Sequence, residues 1–395
     1  MKVDVYKKES TFLNWKDRVQ AEGIPGLSKA NTDIVIQYIL DMEAGRNVAN
    51  GSAKGGRSYS RLCNLTQRMT WIARMLEQRG VSDIRTCDER TALSLFSDME
   101  RGVLRTQNGT RYKSYGDYVR VFKAFWHWWQ KRSKKEQNKY IVDITEDIRT
   151  ETPTPPFVYI SKERLHELLP YFSEDEQVVL YFVFDSLVRA PTEVLSLQAR
   201  HIYERDGDVW VTIPDEVSKT FGRTLNLLYC GNALLNYIRR HNLAPEDRLF
   251  SFSPRLLTRK LQAVAVQLFG DTRSHAQGDW YRTVTLYDLR HSGAVHFRLL
   301  AKENPHCISL DAVRHRGGWA DMKMLNYYTQ FLGLNGKIDR QGMLLHTERH
   351  RLEEEVDVLK QELAAIRKLN AQVLALAKEG QRIFPRRERR SDTNR

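Results

Sequence analysis

Long apolar runs are missing from this 395-residue sequence. No window approaches the ~20 consecutive apolar residues that a membrane-spanning helix needs. The first residues, MKVDVYKKES, lack the apolar stretch of a secretory signal, and the mean hydropathy is −0.54. We therefore expect a cytoplasmic protein with no membrane partner.

Cysteine is also scarce, with four residues in the whole chain. They are too far apart for a metal knuckle or a redox pair, and too few for a secreted disulfide framework. We expect ordinary reduced thiols at Cys63, Cys87, Cys230 and Cys307.

Acidic residues are outnumbered, since 62 Lys and Arg face 49 Asp and Glu for a net charge of +13. This excess favours a polyanionic partner, which is either nucleic acid or an anionic membrane face. Charge alone does not choose between them.

The chain is long enough for two domains and some extra length. A stretch with three prolines, TETPTPPF at 150–157, forbids regular structure and marks a boundary. The predicted segments are an N-terminal extension (1–30), a helical domain (31–145), a linker (146–157), a second domain (158–345), a coiled-coil helix (346–380) and a basic disordered tail (381–395).

Apolar residues at helical spacing predict amphipathic helices throughout the first domain and in most of the second. In the second domain, Ser173 and Glu176 form a predicted capping box before the helix VVLYFVF. The runs DVWVTIP and RTLNLLY are typical of a β-hairpin. The predicted fold class is mainly α with a small antiparallel β-sheet.

The last helix of the first domain combines basic and aromatic residues. Trp126, His127 and Trp128 lie beside a group of basic residues. The group is either a solvated basic face over an aromatic core or a surface that contacts DNA phosphates. The candidate DNA-binding residues are Lys123, Lys131, Arg132 and Lys134.

Steps of four and three separate the apolar residues after 350, which is a heptad pattern sustained for about four repeats. The d positions are Leu352, Leu359, Ile366 and Val373, and the a positions are Val356, Leu363, Asn370 and Ala377. The pattern predicts a coiled coil, and the alternative is one amphipathic helix folded back on its own chain.

A string of motifs in the second domain carries the most information about function. Arg189 precedes EVLSL, Lys219 lies in the hairpin turn, and YDLRH contains Tyr287 and Arg290. Gly318-Trp319 follows, and Tyr328 comes nine residues after Trp319. In order and spacing, these motifs resemble the catalytic domain of the tyrosine recombinases, the phage-integrase family, over roughly residues 31–333.

The resemblance implies a helical core-binding domain that binds DNA, followed by a tyrosine-recombinase catalytic domain. Tyr328 would be the nucleophile, Arg189 and Arg290 would hold the phosphate, and Lys219 would donate a proton to the leaving 5′-hydroxyl. Trp319 would offer its indole N–H to a phosphate oxygen. No metal and no cofactor are implied, because the arginines replace a metal ion.

Several of these residues have a neighbouring residue that could take the same role, or differ from the usual family pattern. Tyr327 is adjacent to Tyr328, and Arg223 lies across the turn from Lys219. Four steps separate Arg189 from Glu193 where the family usually has three, and Tyr287 replaces the usual first histidine. Glu193 and His291 are expected to support the active-site scaffold.

The function implied is a site-specific recombinase or integrase of a mobile genetic element, acting at the nucleoid. It would cleave DNA through a 3′-phosphotyrosine, pass through a Holliday junction, and assemble as a homotetramer on two specific double-stranded sites. One alternative is a type IB topoisomerase, which works as a monomer. Another is a catalytically inactive DNA-binding or architectural protein on the same scaffold.

Overall fold

The computed structural model describes residues 3–46, 57–150, 156–275, 278–303 and 308–330, with residues 356, 359, 363, 366, 367 and 370. The chain divides into two compact units, Met1–Tyr328 and Thr329–Arg395. Within the described ranges the first unit contains mostly helices and one three-stranded antiparallel sheet. The predicted fold class, mainly α with a small antiparallel sheet, is confirmed.

Helices fill the chain ahead of the proline-rich stretch. They are α1 (Lys8–Glu22), α2 (Lys29–Glu43), α3 (Tyr59–Glu77), α4 (Glu89–Arg101) and α5 (Tyr115–Gln137). Their apolar faces form one hydrophobic core that extends in sequence from Phe12 to Ile148. Helix α5 supplies much of its aromatic content, including the buried Trp126 and Trp128.

The apolar pattern of residues 1–30 predicts no helix, yet α1 lies there. It buries only Phe12 and Val19 in the core that it shares with α2 and α3. Because two buried side chains make a narrow stripe, the periodicity is too weak to distinguish this helix from a polar extension. The limits of the predicted domains stay a prediction.

Residues after the proline-rich stretch form a second, separate hydrophobic core, from Val158 to Leu289. The capping box of Ser173 and Glu176 is confirmed at the start of α7. The helices of this part are α6 (Lys162–Leu168), α7 (Glu174–Ser186), α8 (Thr192–Ser196), α9 (Gly231–Arg240), α10 (Pro254–Phe269), α11 (Leu286–Glu303), α12 (Leu310–Gly317) and α13 (Lys323–Gln330).

The sheet has the order β1-β2-β3, with β1 at Ile202–Arg205, β2 at Asp208–Ile213 and β3 at Arg223–Asn226. The predicted hairpin is the antiparallel pair β2–β3, in which Val211 lies opposite Leu225. Alternate residues of β2 are buried, as expected for a strand with one face on the core. The β2–β3 loop, residues 214–222, carries Lys219.

Helices α7 and α11 pack closely at the centre of this part. A methyl group on Gly293 of α11 would lie 2.1 Å from the carbonyl oxygen of Phe184 on α7, so only glycine permits this approach. The contact positions the start of α11, with Arg290, beside the carboxyl end of α7.

Within the described residues, no helix is long and apolar enough to cross a membrane. The free thiols of Cys63, Cys87 and Cys230 are buried, and Cys307 lies outside the described residues. Most of the predicted coiled coil (346–380) and all of the predicted tail (381–395) also lie outside them. Six residues of that segment are described, and all six are helical.

Candidate active site

Arg290 is fully buried on the first turns of α11. Its Nη2 donates a hydrogen bond to the carbonyl oxygen of Gly317 at 2.6 Å, and its Nη1 donates to the carbonyl oxygen of Leu187. Its guanidinium carbon lies 5.2 Å from the ring centroid of Trp319 and 5.9 Å from that of Tyr287. The side chain is therefore fixed between the ends of α7 and α12.

Arg189 lies in the turn between α7 and α8, in which the Ala190–Pro191 peptide bond is cis. Its Nη1 contacts Glu193 Oε1 at 2.7 Å, and its backbone N–H donates to Glu193 Oε2 at 2.9 Å. Its Nη2 donates to the carbonyl oxygen of Gly318 at 3.2 Å. Residues 189–193 contain one residue more than the usual family spacing, yet Arg189 and Glu193 face each other. Arg189 binds the carbonyl oxygen of Gly318, and Arg290 binds that of the adjacent Gly317.

Arg223, the sequence competitor of Lys219, has a side chain with no exposed surface. Its Nη2 contacts Glu193 Oε2 at 3.0 Å, and its Nε donates to the carbonyl oxygen of Arg316 at 2.9 Å. Burial alone would raise the pKa of Glu193, but Arg223 and then Arg189 outweigh it and lower that pKa to about 2. Glu193 is therefore an ionised carboxylate shared by two guanidinium groups.

Three successive carbonyl oxygens at the end of α12 each accept a hydrogen bond from a different arginine. Those of Arg316, Gly317 and Gly318 accept from Arg223, Arg290 and Arg189. The last carbonyls of a helix have no partner inside the helix, and they form the negative end of its dipole. Gly318, at φ +61°, ends the helix in the left-handed region that glycine adopts at little cost. This helix end thus holds the arginines directly before Trp319.

A buried ion pair that the sequence did not reveal braces the same region. Arg316 Nη2 contacts Asp185 Oδ1, and its Nη1 donates to the carbonyl oxygen of Asn226 on β3 at 2.8 Å. The Asp185 carboxylate also accepts backbone N–H groups, including that of Tyr229 at 2.7 Å. Because Arg316 and Asp185 are far apart in sequence and belong to no local motif, no spacing signal marks them.

Lys219 is exposed on the β2–β3 loop. The next residue, Thr220, connects the loop to the arginines: its Oγ1 donates to the carbonyl oxygen of Gly318 at 2.7 Å and accepts from Arg189 Nη2 at 3.4 Å. Thr220 was not predicted, although its position beside Lys219 is a signal that could have identified it. The loop is thus held next to Arg189, with the Lys219 ammonium group accessible to solvent.

Aromatic rings surround the start of α11. The ring centroid of His291 lies 4.8 Å from that of Tyr287 and 5.1 Å from that of Phe157. Burial and then the charge of Arg290 lower the pKa of His291 to about 3, so this imidazole is neutral near pH 7. Its expected role in supporting the active-site scaffold stays a prediction.

Helix α13 contains both candidate tyrosines. Leu325 anchors it in the interior, and Arg298 of α11 donates to the Asn326 side chain at 2.6 Å. Tyr327 is half-buried, and burial and then the Tyr287 phenol raise its pKa. Tyr328 belongs to the helix, but its side chain lies outside the described residues. The choice between the two stays a prediction.

The four candidate DNA-binding residues on α5 differ in their surroundings. Lys131 and Lys134 are exposed. Lys123 is half-buried and donates to the carbonyl oxygen of Glu146 at 3.3 Å. Arg132 contacts Glu136 at 2.9 Å, and its guanidinium carbon lies 5.5 Å from the Trp128 ring centroid. The basic face therefore includes residues engaged with the protein itself, and its role in DNA binding stays a prediction.

No group of three or more His, Cys, Asp or Glu side chains able to hold a metal ion occurs among the residues the structure describes. The charged and aromatic side chains that the described residues bring together at this site include those of Arg189, Arg290, Trp319 and Glu193. Two fixed guanidinium groups suit the binding of phosphate oxygens.

No model of a known protein family matches the chain, and no curated protein sequence matches it. Several solved structures do match the chain. The XerH site-specific recombinase bound to its difH substrate is 14% identical, with 88% of this chain and 97% of that chain covered and a TM-score of 0.50.

Two further structures align with similar scores. A variant of the Tn1549 transposon integrase in complex with a circular intermediate DNA is 13% identical over 80% of this chain and 99% of that chain, with a TM-score of 0.52. A lambda integrase dimer bound to a COC′ core site is 12% identical over 83% and 84%, also with a TM-score of 0.52. The chain therefore has the fold of the tyrosine recombinases.

Proposed function

We propose that the protein is a site-specific DNA recombinase or integrase that cleaves and rejoins DNA through a 3′-phosphotyrosine and a Holliday junction. One observation carries this proposal. Arg189 from the α7–α8 turn and Arg290 from α11 meet at the adjacent carbonyls of Gly318 and Gly317. Trp319 comes next in the chain, and the helix that contains Tyr328 follows it.

The proposed partner is double-stranded DNA with a specific recombination site. The net charge of +13 supports a polyanionic partner, and the aligned XerH, Tn1549 and lambda proteins were each solved with DNA. The helical and catalytic parts would enclose the duplex, and four protomers would act on two sites in the nucleoid.

In the proposed cleavage step, the Tyr328 phenol loses its proton to solvent as its oxygen bonds to the scissile phosphorus, and the bond from phosphorus to the 5′-oxygen breaks. Arg189 and Arg290 stabilise the negative charge that develops on the non-bridging oxygens. Lys219 gives its proton to the leaving 5′-oxygen. In the reverse step a 5′-hydroxyl attacks the phosphotyrosine and tyrosine leaves, so resealing needs no ATP. No metal and no cofactor take part in this scheme.

The two arginines differ in accessibility. The Arg189 side chain is 15% exposed, whereas Arg290 is 0% exposed. A phosphate can reach Arg290 only after the groups that cover it move. Trp319 and Tyr287 pack on its guanidinium group, so we expect DNA binding to shift at least one of them.

The experiment is a trap for the covalent intermediate. DNA fragments from the genomic region around the gene, nicked at random, are incubated with the purified protein, because a nick next to the scissile phosphate lets the short product escape and prevents resealing. We expect adducts enriched for one sequence. Absence of any adduct would indicate an inactive DNA-binding protein, and adducts without sequence preference would indicate a type IB topoisomerase.

A further inference from the structure

Among the few residues that the structure describes after residue 350, four are apolar and exposed. Val356, Leu359, Leu363 and Ile366 are helical, and their exposed fractions are 47%, 62%, 49% and 55%. Their spacing of three, four and three residues places them on one stripe.

We propose that a second copy of this chain covers the stripe and forms a parallel two-stranded coiled coil. This inference goes beyond the proposed function and does not depend on it. It rests on the exposed a and d positions, on Asn370 and on the charges that flank the stripe.

Asn370 continues the same stripe as a helical, exposed residue at an a position. A single buried amide in an apolar seam is costly unless it pairs with another amide across the interface. In a parallel, in-register dimer each a residue meets the same residue of the partner helix, so Asn370 would pair with Asn370 of the second copy. In an antiparallel homodimer the amide would instead face a d position, and every d residue of this pattern is apolar.

The flanking charges favour the same partner. In the heptads defined by the exposed stripe, Glu355 and Glu362 occupy g positions, and Lys360 and Arg367 occupy the e positions that follow them. In a parallel dimer, each g residue lies beside the next e residue of the other helix. Glu355 would therefore pair with Lys360 of the second copy, and Glu362 with Arg367, on both sides of the seam.

Antiparallel pairing has the opposite electrostatic result. There, g positions face g positions and e positions face e positions. Glutamates would meet glutamates on one side, while Lys360 and Arg367 would meet cations on the other. Like charges across a helix interface are destabilising, so the sequence selects the parallel arrangement.

The first measurement is sedimentation equilibrium of the full-length protein without DNA, so the result does not depend on recombination. We expect a mass twice the 46.2 kDa of one chain. The double reversal Glu355→Lys with Glu362→Lys gives both members of each proposed pair, 355 with 360 and 362 with 367, a positive charge. It should weaken dimerisation about 10- to 100-fold, because four attractive pairs become repulsive.

The matched control reverses Glu354 and Asp357, which lie at f and b positions away from the seam. Glu354→Lys with Asp357→Lys changes the net charge by the same amount, so it should leave the dimer intact. Equal weakening by both pairs of substitutions would show that net charge, and not pairing across the seam, controls association.

Orientation is tested with a fourfold variant that exchanges the signs at e and g: Glu355→Lys, Glu362→Lys, Lys360→Glu and Arg367→Glu. Alone it should dimerise like the original chain. When the tagged variant is mixed with the original chain, parallel pairing places like charges together, so each protein should pair with itself. Mixed dimers would show antiparallel pairing and overturn the proposal. A monomer, or a tetramer in the absence of DNA, would also overturn it.

Discussion

Arg290 Nη2 donates a 2.6 Å hydrogen bond to the carbonyl oxygen of Gly317, the last residue of α12. The adjacent carbonyls of Arg316 and Gly318 accept from Arg223 and Arg189. One helix end therefore sets the positions of both candidate phosphate-binding arginines. A change in its backbone should affect catalysis without removing any catalytic group.

Gly317→Ala tests this dependence. Its new methyl group would lie 2.3 Å from Cζ3 of Trp319, so the indole ring or the helix end must shift. We expect the free energy of unfolding to fall by about 1–3 kcal/mol and adduct formation to fall by ~10-fold or more. Ala312→Gly, at an exposed position of the same helix, costs about 1 kcal/mol through helix propensity and should leave adduct formation unchanged. Similar adduct rates in the two variants would argue against the positioning role.

Arg223→Met tests the shared carboxylate of Glu193. Removing one partner of a buried ion pair typically costs about 3–5 kcal/mol, because a buried charge loses its compensation. Urea denaturation should show a loss of this order, whereas Arg200→Met, at an exposed position of the same domain, should change stability by less than about 0.5 kcal/mol. Equal effects at the two positions would mean that Arg189 alone satisfies Glu193.

Stability should also depend on pH through His296. Burial and then the Lys162 charge lower its pKa to about 4, against the opposite effects of Glu163 and Asp185, and its Nε2 lies 2.9 Å from the Tyr229 hydroxyl. Because the unfolded chain binds the proton at a higher pH than the folded one, the stability from this group is complete above pH ~6.5 and is lost as the pH falls towards 4.

His296→Gln should therefore reduce the slope of unfolding free energy against pH between about 6.5 and 5. His291 contributes in the same window, since its pKa is also lowered, so the slope should be reduced and not abolished. His315→Gln, at an exposed position, serves as the control. An unchanged slope in His296→Gln would show that this histidine is protonated in the folded state.

Lys219→Ala should slow cleavage of an ordinary substrate, because the leaving 5′-oxygen then departs without a proton. A substrate with sulfur at the 5′-bridging position should restore the rate, since a thiolate leaves without protonation. Lys219 is exposed, so folding should be unaffected. Lys302→Ala, also exposed, is the control with both substrates. If sulfur does not rescue Lys219→Ala, the lysine acts through its charge and not as an acid.

Local patterns in the sequence predicted much of this fold. The capping box at Ser173 and the hairpin β2–β3 depend on neighbouring residues, and both are present. Helix α1 was missed because it buries only two side chains. Strand β1 was missed for a related reason: one of its four residues is buried, so the alternation is too short to detect.

The candidate site could be predicted only as residue types in order. Motif spacing predicts Arg189, Arg290 and Trp319 as site residues, but it does not show which groups hold them in place. The Asp185–Arg316 ion pair and the contact of Arg223 with Glu193 join residues distant in sequence. Such contacts arise from tertiary packing, so one sequence contains no local signal for them. A pattern of residue types also does not show that the backbone carbonyl oxygens at the end of α12 accept hydrogen bonds from the arginines.

Tyr328 is the proposed nucleophile, and the adjacent Tyr327 is its only competitor in the motif, so substituting each of them in turn tests the proposed cleavage step. Tyr328→Phe and Tyr327→Phe are each incubated with the nicked substrate, and the covalent protein–DNA adduct is measured on a denaturing gel. We expect no adduct with Tyr328→Phe, unchanged DNA affinity for that variant, and a normal adduct with Tyr327→Phe. An adduct that persists in Tyr328→Phe and is lost in Tyr327→Phe would contradict the assignment of Tyr328 as the nucleophile.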